Sequence, residues 1–262
     1  MQDKHDNPRL EASDPPEIGK ITLFELRACI AMGASDFKRA PLFGIFFSSF
    51  YVICGIILGV SGAGTFAWTL MLSLGFPLVA PFAAVGLYEV SRRLEVGEPL
   101  GWSDILGVVW RERGRQVPWV GAILVIIFLF WSFFAHMSLA LFLGNMSLTN
   151  ISTSWEIFAT PQGQMLIGFE FIVGGLVAFL VYALTVVSLP LLLDREIDFV
   201  TAMIVSVKTV AVNKIVMLVW AGVIGLSMLA AMLPYFLGLF VALPILGHAT
   251  WHLYRRALYF PV

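Results

Sequence analysis

Apolar residues in this chain fall into six long runs, each separated from the next by a short polar or mixed stretch. The runs are Leu42 to Val60, Phe66 to Leu87, Trp119 to Leu143, Met165 to Leu193, Val216 to Leu233 and Tyr235 to Leu253. A helix needs about 20 apolar residues to cross the hydrocarbon core, so each run predicts a membrane-spanning helix. In lipid the backbone must satisfy its own hydrogen bonds, and unbroken apolar runs of this length favour helices over a barrel. Short turns at Ser61-Gly62-Ala63-Gly64 and around Pro234 join the first and last pairs into tight hairpins. The expected fold is all-α, with six transmembrane helices.

Ahead of each odd-numbered run lies a stretch too short and too polar to cross: Leu23 to Ala40, Leu100 to Val117 and Ile197 to Lys214. In the first, Leu23, Leu26, Ile30, Gly33 and Phe37 share one helical face, with Glu25, Arg27, Asp36, Lys38 and Arg39 outside it. In the second, Trp102, Ile105, Leu106, Val109 and Trp110 oppose Asp104, Arg111 and Arg115. In the third, Phe199, Met203 and Val210 oppose Lys208. This pattern predicts amphipathic helices lying in the membrane interface, apolar side in lipid. Each even-numbered run carries a proline near one end, at Pro81, Pro190 and Pro244. The chain therefore reads as three repeated units, about 21–93, 99–195 and 196–256, each an interfacial helix followed by a helical pair. Together they form one transmembrane domain over 21–262. Residues 1–20 are polar and Pro-containing, and are expected to be a disordered tail with no secretory signal.

Charge sets the orientation. All 16 Lys and Arg fall on one side of the six-run arrangement: in the N-terminal segment, in the connections around Arg92, Arg93, Arg111, Arg113 and Arg115 and around Arg195, Lys208 and Lys214, and at Arg255 and Arg256. The positive-inside rule then puts both termini in the cytoplasm. Composition agrees with a membrane protein: 59% hydrophobic, 13% charged, mean hydropathy +0.90. A soluble domain is about a quarter charged. A net charge of −1 gives no basic field for nucleic acid. Cys29 and Cys54 form no metal or disulfide motif.

Four stretches carry a family likeness: Phe37-Lys38-Arg39-Ala40-Pro41-Leu42, Gly86 to Glu95, Pro190 to Arg195, and Gly247 to Arg256. They resemble the DUF2189 family of bacterial integral membrane proteins, which implies a multi-pass protein of the inner membrane and implies no activity. The third unit departs from the Asn-Pro of that family with Asn213-Lys214, which puts its sharp helix break in question. Some members carry a cytochrome oxidase subunit I label. That subunit has many more spans and a set of histidines holding haems and copper, and four histidines here give the label no support.

Candidate chemistry is sparse. His248 and His252 stand one helical turn apart, the spacing of two ligands on one metal, but no third ligand is near in sequence. Glu170 is the one acid inside a run, about five residues from its outer end, and a charge at the bilayer centre costs about 2.5–3.5 kcal/mol on insertion scales. Glu89, Arg92, Arg93, Asp194, Arg195, His248 and His252 gather at the cytoplasmic ends of the inward runs, where they read as ion pairs or a lipid-headgroup rim. If the three prolines splay those ends, a cytoplasm-facing cavity opens there. Gly55 and Gly59 read as close helix packing. Asn145 and Asn150 match a glycosylation pattern that carries no weight in a bacterial protein. No catalytic constellation or cofactor motif is present. The expected function is a non-catalytic accessory, assembly or lipid-organising factor whose partners are the bilayer and other membrane proteins. The alternative is a small-molecule or lipid transporter or channel with a cytoplasm-facing cavity.

Overall fold

The computed structural model describes residues 16–60, 66–144 and 160–260. It is all-helical apart from one pair of two-residue strands. The order is β1 (Glu17–Ile18), α1 (Leu23–Arg39), α2 (Pro41–Val60), α3 (Phe66–Val96), α4 (Trp102–Glu112), α5 (Val117–Leu143), α6 (Pro161–Thr185), α7 (Ser188–Asp194), α8 (Phe199–Val212), α9 (Lys214–Met232), α10 (Leu239–Ala257) and β2 (Leu258–Tyr259). Each of the six apolar runs coincides with a long helix. The fourth is divided between α6 and α7, and the sixth starts later because Tyr235 and Phe236 take positive φ in the turn before α10. The glycosylation-like positions Asn145 and Asn150 lie outside the described residues.

Among the described residues, three helical stretches are long and apolar enough to cross a membrane: Val117–Leu143, Pro161–Asp194 and Lys214–Met232. The count is four if α1 and α2, bent by 99° at Ala40, form one broken span. Only 22% of the most apolar window of α5 and of α9 is buried within the protein, so most of their apolar surface is left for the bilayer. The protein is an integral membrane protein.

Local sequence explains the helix starts. Thr22 and Glu25 make a reciprocal capping box at α1, Thr160 caps α6 through the Gly163 amide, and Asp198 caps α8 through the Thr201 amide. The break between α6 and α7 precedes Pro190, whose ring cannot continue the hydrogen-bond ladder. Ser206 of α8 compensates: its Oγ accepts from the Val187 amide at 3.1 Å and donates to the Ala183 carbonyl at 2.7 Å. At Pro81 and Pro244 the helices run on without interruption.

Two expectations change. Residues 16–20 are ordered rather than part of a loose tail, because β1 pairs antiparallel with β2, Glu17 opposite Tyr259 and Ile18 opposite Leu258. Asn213 fastens the same segment: its Oδ1 accepts from the Ile21 amide at 2.7 Å and its Nδ2 donates to the Gly19 carbonyl at 3.0 Å. Asn213 also ends α8, so the helix break is kept without the proline. Secondly, the apolar face of α1 is spent on protein rather than lipid. Leu26, Cys29, Gly33 and Asp36 are buried, and α1 lies along α10 in the most extensive interhelical contact among the described residues. The residues of α4 differ in exposure. Ile105 and Val108 point inward, while Trp102, Leu106 and Trp110 are exposed.

Candidate functional site

α3, α7 and α10 bring their charged ends together, and α1 lies across α10 beside them. Four polar side chains meet in the interior there: Asp36 from α1, Ser91 from α3, and His248 and His252 from α10. All four are buried. The Asp36 Oδ2 accepts from Ser91 Oγ at 2.9 Å and lies 2.7 Å from His252 Nε2. Ser91 Oγ is also 2.8 Å from His248 Nδ1. A hydroxyl has one hydrogen, so with that hydrogen given to Asp36, Ser91 accepts from a protonated His248 Nδ1. His248 Nε2 is then a bare acceptor, and it is buried without a partner.

This wiring runs opposite to that of a nucleophilic triad, in which histidine takes the serine proton and aspartate orients the histidine. Here the serine proton points at the aspartate, and Ser91 is fully buried. Burial alone would raise the Asp36 carboxyl, but hydrogen bonds from His252 and Ser91 and the nearby imidazoles outweigh it and hold the group below its ordinary value. The two histidines turn to different side chains, His248 to Ser91 and His252 to Asp36. No group of three or more His, Cys, Asp or Glu side chains among the described residues is arranged to hold a metal.

Around this core runs a belt of ion pairs. Glu89, 1% exposed, receives Arg92 Nε and Arg93 Nε, each at 2.7 Å. Arg92 reaches on to Glu98 at 3.0 Å. Glu95 accepts from Trp251 Nε1 at 2.9 Å and from Arg255 Nε at 3.2 Å. Asp194 accepts from the Tyr254 hydroxyl at 2.7 Å and pairs with Arg255 and Arg195. Arg195 stacks on the ring of Phe260. On the α4 side, buried Glu112 is bound by Arg115, which also binds Glu196. Burial pushes the Glu112 carboxyl up from its ordinary value.

The structure places the seven rim residues expected from the sequence as follows: Glu89 pairs with Arg92 and Arg93, Asp194 pairs with Arg195, and His248 and His252 bond to Ser91 and Asp36. Among the described residues, no cavity opens between the ends of α3, α7 and α10, where one was expected. Val85, Tyr88, Leu191, Leu192, Leu253 and Tyr254 are buried and fill the space between these helix ends. Apolar side chains interdigitate across the three helices, and the rim charges neutralise one another, so nothing holds the ends apart. Glu170 lies far from this region, on α6, hydrogen-bonded to Ser138 of α5.

Asp36, Ser91 and Glu95 are absent from the sequence-derived rim. For Asp36 a signal existed: Leu26, Cys29, Gly33 and Asp36 recur at helical spacing, so the stripe that buries Cys29 and Gly33 buries the acid too. Ser91 and Glu95 sit among charged neighbours at the end of α3 with no local pattern to single them out.

Comparison with known proteins adds a family. Residues 69–194 match the family model DUF2189, described as "Predicted integral membrane protein". The match contains Gly86 to Glu95 and Pro190 to Asp194, two of the stretches that carry the resemblance, while Phe37 to Leu42 and Gly247 to Arg256 lie outside it. No curated protein and no solved structure matches the chain.

Proposed function

We propose that this chain, which belongs to the DUF2189 family of predicted integral membrane proteins, is a six-span, non-catalytic scaffold of the bacterial inner membrane, with both termini in the cytoplasm. Its role is that of an accessory, assembly or lipid-organising factor. The observation that carries the reading is the closed cytoplasmic end, where three helix ends are packed with apolar side chains and belted by ion pairs. A transporter needs a path lined by polar groups that opens and closes. A surface of exposed apolar side chains over a locked interior suits a protein that holds lipid and membrane partners in place.

An even number of spans is supported by β1 and β2. Hydrogen-bonded neighbours cannot lie on opposite faces of a bilayer, and β1 precedes the first helix while β2 follows the last. Three spans would separate them. Six is supported by the 20 residues of α2, free of charge, and by its 99° turn from α1, which suits an interface helix leading into a span. The order short helix, long helix, long helix recurs three times, in keeping with the repeated units.

Topology is tested by reporter fusions and a cross-link. Fusions after Arg93, Arg195 and Arg256 are expected to read cytoplasmic, and fusions after Ala63 and Ser152 outside. Cysteines at Glu17 and Tyr259, with Cys29 and Cys54 replaced by Ser, should form a disulfide in membranes under mild oxidation. An inside reading at Ser152 would sink the six-span arrangement, and the absence of a cross-link would sink the shared side of the termini. The locked interior is tested by amide hydrogen exchange in proteoliposomes. Residues 85–92, 188–192 and 248–254 are expected to exchange slowly with or without a membrane potential. Potential-dependent exchange there would argue for a moving gate. Partners are sought by purification in mild detergent with identification of the retained proteins and lipids.

A further inference from the structure

Glu170 is nine residues beyond Pro161, the first residue of α6, about 14 Å along the axis at 1.5 Å per residue. A run starting at Met165 predicted a position one turn shallower. Its partner Ser138 is five residues before Leu143, the end of α5, about 8 Å in. Both lie below the outer ends of their helices, in an apolar setting. Glu170 borders an open hollow of about 420 Å³ lined by Ala135, Leu139, Leu166, Ile167 and Phe171. Phe171 and Ile167 are themselves exposed on the outer surface of the helix bundle, so the hollow opens toward lipid.

The hydrogen-bond count decides the state of the acid. Ser138, 1% exposed, has its Oγ 2.9 Å from the Ala135 carbonyl oxygen and hydrogen-bonded to Glu170 Oε1 as well. A hydroxyl carries one hydrogen and cannot serve two acceptors fully. If Glu170 supplies a hydrogen of its own, the set is satisfied: Glu170 donates to Ser138, and Ser138 donates to Ala135. An ionised carboxylate facing hydrocarbon is also costly, and among the described residues no Lys or Arg pairs with Glu170 to offset it. On α5 the one other titratable group is His136, whose Nδ1 is 2.7 Å from the Ser132 carbonyl oxygen. On α6 it is Tyr182, twelve residues further along, where its hydroxyl donates to the Met217 carbonyl. α3, packed on α5, has no ionisable residue before Tyr88.

We propose that Glu170 and Ser138 form a proton-binding site open to the bilayer, and that the acid is a modification site for lipid-soluble carbodiimides. The chemistry balances without a further reactant. The carboxyl proton passes to a carbodiimide nitrogen while the carboxyl oxygen adds to the central carbon, giving an O-acylisourea. The acyl group then shifts from oxygen to nitrogen as a stable N-acylurea. No atom leaves, so the modified peptide gains the whole mass of the reagent.

The test uses the full chain in native membranes, treated in parallel with dicyclohexylcarbodiimide and with a charged, water-soluble carbodiimide. Peptide mass spectrometry is expected to find the adduct on Glu170 with the lipid-soluble reagent, in excess over the charged one by a factor on the order of ten, since the charged reagent is excluded from hydrocarbon. Glu98, 43% exposed two residues past the end of α3, should show the reverse preference. In reconstituted protein the infrared spectrum should carry a protonated carboxyl C=O band that Glu170→Gln removes. Equal or greater labelling of Glu170 by the charged reagent, or a Glu170→Gln difference spectrum showing only carboxylate bands, overturns the proposal. So does an unlabelled Glu170 peptide with the lipid-soluble reagent.

Discussion

Replacing Gly33 with leucine should unseat α1 from α10 and expose Cys29 to reagents that do not reach it in the native protein. An ideal Cβ on Gly33 would lie 2.6 Å from both the Ala249 nitrogen and the Ile245 oxygen, and 2.9 Å from the Ala249 Cα. All three atoms are backbone, so no side chain can turn aside and the helices themselves must part. Overpacking a tight contact costs about 1–3 kcal/mol. Alanine at this site should fall toward the upper end of that range, because the clash outweighs the gain of about 1 kcal/mol in helix propensity. Leucine should exceed it. Cys29 reports the outcome: it is 1% exposed, and burial raises its thiol from an ordinary 9.0 to about 11. Two decades of acidity lower the thiolate population at neutral pH roughly a hundredfold, and burial blocks access as well. With Cys54 replaced by Ser, maleimide labelling of Cys29 should be slow in the parent and fast in Gly33→Leu. A thiol that stays unreactive in the leucine variant would show that the backbone contact does not hold the interface.

A comparable loss is expected from Asp36→Ala, by another route. Removing the carboxylate leaves the Ser91 hydroxyl and His252 Nε2 buried beside an empty acceptor position. A buried hydrogen-bonding group left without its partner typically costs about 1–3 kcal/mol, and two are left here. The variant should unfold at lower temperature in detergent, and Cys29 should again become reactive. The acid limb of stability gives a second measurement. Asp36 titrates below its ordinary value of 3.8 when folded. Its contribution is therefore full at pH values above the unfolded-state value and is lost as pH falls through the lower folded one. The parent should lose stability across that acid window, and the difference between parent and Asp36→Ala should shrink there. A difference that stays constant down through the window would mean that the charge on Asp36 contributes nothing to docking.

Much of the fold is written in local pattern. The six apolar runs fall on helices. For the stretches long and apolar enough to cross a membrane, the reason is that hydrocarbon leaves the backbone no partner but itself, a constraint that acts on each segment alone. The capping box at Thr22 and Glu25 marks the start of α1 for the same local reason. The gathering of Glu89, Arg92, Asp194, Arg195, His248 and His252 in one region also has a basis in sequence, since each stands near the end of an apolar run.

What these residues do when they meet was decided only by the tertiary structure. Sequence puts Asp36 with the polar side of α1 because it is charged. In the folded protein it belongs to the buried stripe of Leu26, Cys29 and Gly33, and it is tolerated there because Ser91 and His252 arrive from helices 55 and 216 residues away in sequence. The rim residues likewise have the composition of an opening, yet Tyr88, Leu191 and Tyr254 close the space between them. The pairing of Glu17–Ile18 with Leu258–Tyr259 joins segments about 240 residues apart and has no local signature at all. Segment identity depends on solvent and near neighbours, which the sequence states directly. Partnership between buried polar groups depends on distances set by packing across the whole bundle, and these exist only once the chain has folded.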